Sequence, residues 1–325
     1  MTPTTLLRTC AAAAFTVASA LSAHAATIDQ NFTSFWVLGD SLSDNGNVFA
    51  ATGQPGAPYV NGRFSNGPVW SDHIGNLFQS SGKAYGNVAF GGAKALLDGD
   101  LLPDLPIQLG FFGTSSSGIL GARPLVSLWF GGNDLLAAVG GGASGQAAAD
   151  AANAIADTAD IMALGGVNDF LIMTLPDLGS APRYALFQPT LAAEASIATG
   201  IFNDTLKSRI GGLRAKGLNV TVVDAAALSA GMLANPASVG VSNVTVPCVF
   251  PDAATASAFG QAPVCSATEA QERAFFDGVH PNATVHQAIA DAVVAAYAPT
   301  VVPVPAGAPL LLLGVSALAL LRRRT

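Results

Sequence analysis

The chain has 325 residues, of which 50% are hydrophobic and 11% are charged, and its formal net charge is −7. A composition this apolar argues against intrinsic disorder. The excess of 21 acidic over 14 basic residues argues against nucleic acid as a partner, because phosphate binding requires clustered Lys and Arg.

The first 25 residues are typical of a secretory signal peptide. They contain one basic residue, Arg8, then a short apolar run, and they end in Ala23-His24-Ala25. These features correspond to the basic, hydrophobic and cleavage-site regions that signal peptidase reads. A buried N-terminal helix is the alternative interpretation. We expect an exported protein that resides in the periplasm, on the cell surface or outside the cell.

Five short apolar runs have the character of parallel strands that are buried on both faces. They are Phe35–Leu38, Gly86–Phe90, Leu125–Phe130, Phe170–Thr174 and Val220–Val223. Helical periodicity is present in residues 68–79, 147–164 and 191–216. The alternation predicts one α/β domain over residues 26–301, with a doubly wound parallel sheet that binds ligands at the carboxyl ends of its strands.

Polar and glycine-rich blocks follow several of these runs. They are Gly39–Asp44, Asn61–Pro68, Asn87–Ala93, Gly131–Asp134 and Asp277–Pro281. Each block has a structural explanation when it is taken alone, as a helix cap, a strand-ending turn or a close backbone approach. Their joint occurrence in this order favours a functional site instead.

In this order and at this spacing the blocks resemble those of the GDSL/SGNH hydrolases, over residues 33–298. Specifically, they resemble the Gly-Asp-Ser-Leu-Ser-Asp-x-Gly-Asn branch of lipases, phospholipases and related acyltransferases. The resemblance implies a three-layer α/β/α sandwich with a flavodoxin-like, mostly five-stranded parallel sheet. No cofactor is implied. The sequence has no phosphate-cradling loop, and we find no His, Cys and carboxylate cluster with metal-ligand spacing.

The same resemblance implies the roles of five residues. Ser41 corresponds to the nucleophile, His280 to the general base and Asp277 to the carboxylate that orients it. The oxyanion hole corresponds to the N–H groups of Ser41 and Gly92 and the side-chain amide of Asn133. The chemistry needs these residue types, because a serine hydroxyl is a weak nucleophile until a neutral imidazole accepts its proton.

Two further histidines are alternative bases. His73 lies in the first predicted helix and His286 in the last, and these positions favour an exposed or core role for both. Asp40 precedes Ser41, and we expect it to hold the turn.

The blocks contain other residues outside the implied catalytic set. The Arg63-Phe64 pair is interpreted as structural. Asp44, Asn45 and Asn47 are expected to line the mouth of the site.

Residues 302–325 resemble a PEP-CTERM sorting tail. A Val302-Pro-Val-Pro signature precedes an apolar run, Ala308–Leu321, and three terminal arginines. The family signature usually has Glu where this chain has Val304. The run is short for a spanning helix, which typically needs about 20 residues. We expect a short transmembrane segment and export partners of the signal peptidase and exosortase type, and leave open whether the tail is cleaved.

Two cysteines remain after removal of the signal peptide, which contains Cys10. Cys248 and Cys265 then have one possible intramolecular pairing, and oxidation is expected in an exported protein. The segment between them lacks helical periodicity and is interpreted as a long loop. Two reduced, buried thiols are the alternative.

The predicted function is the hydrolysis of carboxylic esters, with a small-molecule or lipid ester as substrate. Two alternatives remain open. One is an acyltransferase that uses the same site, and the other is a surface or matrix protein with a vestigial site.

Overall fold

The computed structural model describes residues 28–298, of which residues 28–297 belong to one compact unit. Its strands are β1 (Ser34–Gly39), β2 (Ala84–Asn87), β3 (Pro124–Trp129), β4 (Asp169–Met173) and β5 (Asn219–Val223). They form one sheet in the order β2-β1-β3-β4-β5, and every neighbouring pair is parallel. The predicted five-stranded parallel sheet is confirmed, with the strand order of flavodoxin-like folds.

Burial explains why the central strands could be predicted from the sequence. Every residue of β1, β3 and β4 is buried, whereas the edge strands β2 and β5 are partly exposed. A strand covered on both faces needs a continuous apolar run. Strand β2 begins and ends earlier than predicted, because its edge position leaves it without such a run.

Helices surround the sheet. They are α1 (Ile28–Asn31), α2 (Asn47–Thr52), α3 (Trp70–Ser80), α4 (Leu105–Ser115), α5 (Gly132–Ala138), α6 (Ser144–Leu164), α7 (Ala192–Ala215), α8 (Ala225–Ala234), α9 (Ala253–Ala258), α10 (Ala267–Glu272) and α11 (Ala283–Ala296). Helix α3 packs against α11, and α6 packs against α7, while α4 contacts both β1 and α6. This gives the predicted three-layer arrangement of helices around a sheet.

Several short helices have no counterpart in the sequence prediction, and neither do two longer ones, α4 and α8. Helix α4 contains a proline and two glycines, and α8 is apolar on nearly all sides. Neither segment has the one-sided apolar pattern by which a helix is identified from sequence.

The strand order determines where a ligand can bind. From β1 the chain moves to β2 on one side, and then crosses to β3 on the other side of β1. Loops that leave the carboxyl ends of β1 and β3 therefore diverge, and they open a crevice between them. The residues that follow Gly39 and Trp129 lie at this crevice.

A disulfide joins Cys248 to Cys265 across 17 positions. The intervening segment is not entirely the loop that we expected, because it contains α9, whose first turn is capped by the Asp252 side chain. Short capped helices of this kind have no periodicity to detect. The backbone N–H groups of Cys248 and Val249 donate to the carbonyls of Phe275 and Phe276, at 3.1 and 2.7 Å.

The expected signal peptide and sorting tail lie outside the described residues. Within residues 28–298, no helix is long and apolar enough to cross a membrane.

We predict that reduction of the disulfide destabilises the domain. Closing a loop of this length restricts the unfolded chain and contributes about 3 kcal/mol in the loop-entropy model. The melting temperature of a chain starting at Ala26 should therefore fall with reductant. A double variant, Cys248→Ser with Cys265→Ser, serves as the control and should melt like the reduced protein in either condition. Two titratable thiols in the oxidised, unfolded protein would contradict the prediction.

Candidate active site

Ser41 lies on a tight turn at the carboxyl end of β1. The side chain of Asp40 accepts a hydrogen bond from the Leu42 N–H at 3.0 Å, and its carbonyl accepts one from the Ser43 N–H at 3.0 Å. The preceding Gly39 has no room for a side chain, since a Cβ there would lie 2.9 Å from Ser43. Asp40 therefore holds the turn, as the sequence suggested.

Asp277 and His280 lie on a narrow loop before α11. Phe275 and Pro281 form an isolated antiparallel bridge, and the Phe276 N–H donates to the His280 carbonyl at 2.8 Å. Inside the loop, Oδ1 of Asp277 accepts the N–H groups of Val279 and His280, at 2.9 and 2.8 Å. The carboxylate thus organises the loop that carries the imidazole.

The loop and the turn bring three side chains into a continuous chain of hydrogen bonds. Nε2 of His280 lies 2.7 Å from Oγ of Ser41, although 239 positions separate the two residues. Nδ1 of His280 lies 2.7 Å from Oδ2 of Asp277. An imidazole held in this way can accept the serine proton, and the carboxylate can stabilise the imidazolium that forms.

The charges of the site stabilise the ionised carboxylate of Asp277 and the imidazolium form of His280. Burial opposes ionisation of Asp277, but the charge and hydrogen bond of His280, together with Tyr59, outweigh it and lower the pKa of this carboxyl to about 2. Burial also favours the neutral imidazole of His280. The attraction of Asp277, and more weakly of Asp40, outweighs that effect and raises the pKa of His280 above 6.5.

Tyr59 is a member of the site that sequence reasoning missed. Its hydroxyl donates to Oδ2 of Asp277 at 2.7 Å, and its ring packs edge-on against Phe276. Burial and the neighbouring carboxylate raise the pKa of the Tyr59 hydroxyl, so that it remains a donor. A lone tyrosine 218 positions before its partner leaves no signal in a single sequence.

The three predicted oxyanion residues line one cavity together with His280. The Asn133 side chain lies in the first turn of α5, and its Nδ2 donates to the Ala93 carbonyl at 2.9 Å. That bond uses one amide hydrogen and fixes the orientation of the other. Gly92 has φ of 86°, in the left-handed region that favours glycine, and a Cβ there would lie 2.7 Å from Leu102.

The expectation that Asp44 and Asn47 line the mouth of the site is wrong. Asp44 is fully buried, and its carboxylate accepts N–H groups from the backbone of Gly46, Asn47, Val48 and Gly91. The Asn47 amide donates to the carbonyls of residues 87 and 89. Both side chains therefore join the loop after β1 to the loop after β2. Asn45 is not in the described wall of this cavity.

Phe64 was interpreted as structural only, but its side chain contacts the imidazole of His280 and lines the same cavity. Its ring centroid lies 5.2 Å from that of His280, and the ring occupies the space that a side chain on Gly91 would need. Arg63, in contrast, forms an ion pair with Asp72 at 2.8 Å and has the expected structural role.

The alternative bases stand apart from Ser41. His286 is fully buried, and its Nδ1 accepts the Trp70 N–H at 3.3 Å. Burial, with smaller contributions from His280 and His73, lowers the pKa of His286 to about 3. In the described part of the chain, the hydrogen-bonding imidazole at Ser41 is that of His280.

The sequence predicted no cluster of side chains with metal-ligand spacing, but the structure has one group of three carboxylates with such spacing. Ligand atoms of Asp98, Asp100 and Asp104 lie within 4.8 Å of one another. The cluster already has internal partners, since Lys94 pairs with Asp98 and its backbone N–H donates to Asp104 at 2.8 Å.

Comparison with known proteins places this geometry in a family. A model of the GDSL-like lipase/acylhydrolase family matches residues 36–293. The chain belongs to that family. It is therefore a carboxylic ester hydrolase by class, and the resemblance inferred from the sequence blocks is confirmed at the level of the family.

Two curated relatives are similar in sequence. The chain is 32% identical over 240 residues to a phosphatidylcholine-sterol acyltransferase of Aeromonas hydrophila, a match that covers 70% of this chain and 69% of the relative. It is 28% identical over 265 residues to a thermolabile hemolysin of Vibrio parahaemolyticus, covering 78% of this chain and 61% of the relative. The chain thus spans less than two thirds of the hemolysin's length.

Solved structures of esterases are also similar. The acetyl xylan esterase AlAXEase has a TM-score of 0.45 and 13% identity, covering 81% of this chain and 98% of that chain. Axe2, an acetylxylan esterase from Geobacillus stearothermophilus, has a TM-score of 0.41 and 12% identity, covering 82% and 94%.

The pH dependence of ester hydrolysis should report on the Tyr59 hydrogen bond. We predict that kcat/KM rises with pH as His280 loses its proton, with a midpoint above 6.5, because Asp277 raises the pKa of His280. In Tyr59→Phe, Asp277 loses a donor and becomes more basic, so it should hold the imidazolium more tightly. The midpoint should move upward, and kcat should fall by up to about tenfold.

Tyr85→Phe is the matched control, because Tyr85 is a half-buried tyrosine whose hydroxyl accepts a hydrogen bond from Asn87. It should leave the midpoint unchanged. A Tyr59→Phe profile identical to that of the wild type would show that Asp277 does not depend on this bond.

Proposed function

We propose that this protein is an exported serine esterase that hydrolyses carboxylic esters through an acyl-enzyme. The observation that carries the proposal is the hydrogen-bonded chain from Ser41 through His280 to Asp277, which opens on the same cavity as Gly92 and Asn133. A nucleophile, a base and oxyanion donors around one space are what acyl transfer requires.

In the first half of the reaction, Nε2 of His280 takes the proton of the Ser41 hydroxyl while Oγ attacks the ester carbonyl carbon. The carbonyl oxygen becomes an oxyanion that the N–H groups of Ser41 and Gly92 and the amide of Asn133 stabilise. When the tetrahedral intermediate collapses, the bond to the alcohol oxygen breaks. His280 gives its proton to that oxygen, and the acyl group remains on Ser41.

In the second half, water takes the place of the alcohol. His280 removes a proton from the water as its oxygen attacks the acyl carbon, and the same donors stabilise the second oxyanion. Collapse releases the carboxylic acid and returns the proton to Ser41. Each oxyanion donor contributes about 3 kcal/mol to such a transition state.

Acyl transfer is the second candidate function. An alcohol in place of water in the second half would yield a new ester with no change in the catalytic residues. Sequence similarity to a phosphatidylcholine-sterol acyltransferase favours keeping this candidate. Product analysis with and without an added alcohol distinguishes the two, because only transfer produces the second ester.

The test of the proposed function is labelling with a fluorophosphonate probe, followed by turnover of p-nitrophenyl esters. We predict that the wild type is labelled at Ser41, that Ser41→Ala is not, and that His280→Ala lowers turnover by several orders of magnitude. Ser43→Ala is the matched control, two positions away on the same turn, and should still be labelled. Full activity in Ser41→Ala would overturn the assignment of Ser41 as the nucleophile. A wild type that the probe does not label would indicate a vestigial site.

Asn133→Ala extends the same experiment to the oxyanion hole. The Asn133 amide is expected to hydrogen-bond to the substrate oxygen only as negative charge develops on it. The variant should therefore lower kcat by roughly 10²–10³ with little change in KM. A change confined to KM would instead make Asn133 a residue that binds the ground state.

Export is the remaining part of the proposal, supported by the character of residues 1–25 and 302–325. We predict that the mature chain begins at Ala26 and that a chain ending at residue 301 is soluble and fully active, since both segments lie outside the catalytic domain. N-terminal sequencing of the secreted protein and activity of the truncated chain are the measurements. Misfolding of the truncated chain would place the apolar tail in the core.

A further inference from the structure

A second cavity borders the loop that carries Asp277 and His280. It has about 900 Å³ of space between its walls, including the part open to solvent. Most of its wall comes from three segments, which are residues 277–279 of the loop, residues 249–251 of the disulfide segment, and a short π-helical turn, Arg183–Phe187, with the residue that follows it. Val279 also lines the cavity that holds Ser41, so the two cavities share a wall.

Arg183 supplies a positive charge to this second cavity. Its backbone N–H donates to the Gly278 carbonyl at 2.7 Å, which ties Arg183 to the loop with Asp277 and His280. Its side chain is exposed, and the guanidinium carbon lies 5.8 Å from the centre of the Tyr184 ring. The cation is therefore anchored to the same loop as the catalytic base.

The side chain of Arg183 is unusual among the cations of this chain. Residues 28–298 contain all 21 Asp and Glu residues but only ten of the 14 Lys and Arg residues. Nine of those ten cations donate to a carboxylate or a backbone carbonyl. Within the same residues, Arg183 alone has no side-chain hydrogen bond or ion pair, although acidic groups are in excess. Its planar fork of N–H donors is therefore free to bind an anion.

The rest of the lining suits a ligand with an apolar body. The ring centroids of Phe187 and Phe250 lie 5.7 Å apart, and the neighbouring residues of the disulfide segment extend this apolar surface. Asp277 is the acidic residue of the lining, but its carboxylate already accepts two N–H groups of its loop, the imidazole and the Tyr59 hydroxyl. Its charge is therefore balanced by these groups and leaves Arg183 without a counter-ion.

We propose that this cavity binds the alcohol part of the ester, and that Arg183 recognises a negatively charged group on it, a carboxylate or a phosphate. The substrate class is then esters of alcohols that have an apolar body and an anionic end. The inference rests on the proposed function, because it requires an ester whose carbonyl carbon is bound at Ser41.

The proton transfers of the reaction favour the alcohol part over the acyl part. His280 gives its proton to the alcohol oxygen as the tetrahedral intermediate collapses, so that oxygen must lie against the imidazole. Gly278 and Val279, the two residues before His280, line the second cavity. The body of the alcohol can therefore extend from the imidazole along this loop towards Arg183. The net negative charge of the domain repels an anion elsewhere, so a local cation is needed to select one.

Two aryl acetates that differ in charge test the assignment. The compound p-acetoxybenzoate carries a carboxylate on its alcohol part, and p-acetoxybenzamide carries a neutral group of nearly the same shape. The quantity measured is the ratio of kcat/KM for the anion to kcat/KM for the amide, in which effects common to both esters cancel. Arg183→Gln should lower this ratio by about fivefold, because it removes an exposed, charge-assisted contact.

Arg209→Gln is the matched control. It makes the same substitution and the same change of net charge on α7, where Arg209 pairs with Asp157 outside the wall of the cavity. It should leave the ratio unchanged. Added NaCl should lower the ratio in the wild type and have less effect in Arg183→Gln, because salt screens an exposed ion pair. A purely structural role of Arg183 would not produce this dependence on salt.

Arg183→Glu is the complementary variant, because it reverses the charge. It should lower the ratio further, and it should raise kcat/KM for p-acetoxyphenyl-trimethylammonium relative to the amide. The phosphate p-acetoxyphenyl phosphate distinguishes the two anions, since the preferred one should lose more in Arg183→Gln. Purified full-length protein with its disulfide intact is used throughout, and the melting temperature of each variant is recorded.

The outcomes separate this inference from the proposed function. A lowered ratio in Arg183→Gln, with an unchanged ratio in Arg209→Gln, supports the assignment. Monophenyl adipate and its terminal amide carry the same difference in charge on the acyl part, and a loss confined to that pair overturns the assignment to the alcohol. Equal ratios in the wild type, Arg183→Gln and Arg183→Glu show that Arg183 does not recognise substrate. A wild type that cleaves neither p-acetoxybenzamide nor p-nitrophenyl acetate refutes the proposed function itself.

Discussion

The carboxylate of Asp277 is the interaction on which the site depends. It accepts two backbone N–H groups of its own loop, the imidazole Nδ1 of His280 and the hydroxyl of Tyr59. A buried charge is tolerated only when it is paired and hydrogen-bonded, and here the four partners supply what water would. Because the same carboxylate shapes the loop and bonds to the imidazole, the geometry of the loop and the pKa of His280 cannot change independently.

Strand order is the second constraint, and it explains why distant polar blocks meet. Strand β1 lies between β2 and β3, so the turn with Ser41 has the loop after β2 on one side and the loop after β3 on the other. Gly92 and Asn133, the proposed oxyanion donors, follow these two strands and line one cavity with Ser41. Asp44 joins two of the loops through backbone N–H groups, and the Asn133 amide donates to the Ala93 carbonyl, so the residues proposed as oxyanion donors are held in place by the protein itself.

The disulfide segment links stability to this site. Cys248 and Val249 hydrogen-bond to the backbone of Phe275 and Phe276, immediately before Asp277. The ring of Phe276 also packs against Tyr59, the residue that donates to the carboxylate. The crosslinked segment therefore holds the backbone that leads into the loop with Asp277 and His280, and Val279 of the same loop lines the cavity with Ser41.

The sequence by itself determined the three central strands, because strands that are buried on both faces need continuous apolar runs, and it placed the two edge strands approximately. Its local blocks pointed to Ser41, Asp277 and His280 through their resemblance to a family. Only the tertiary structure decided that Asp44 turns inward, that Phe64 lies on the imidazole and that Tyr59 meets Asp277. Local patterns record the period and burial of a segment, but contacts between side chains far apart in the chain depend on how the loops at the sheet's carboxyl edge pack together.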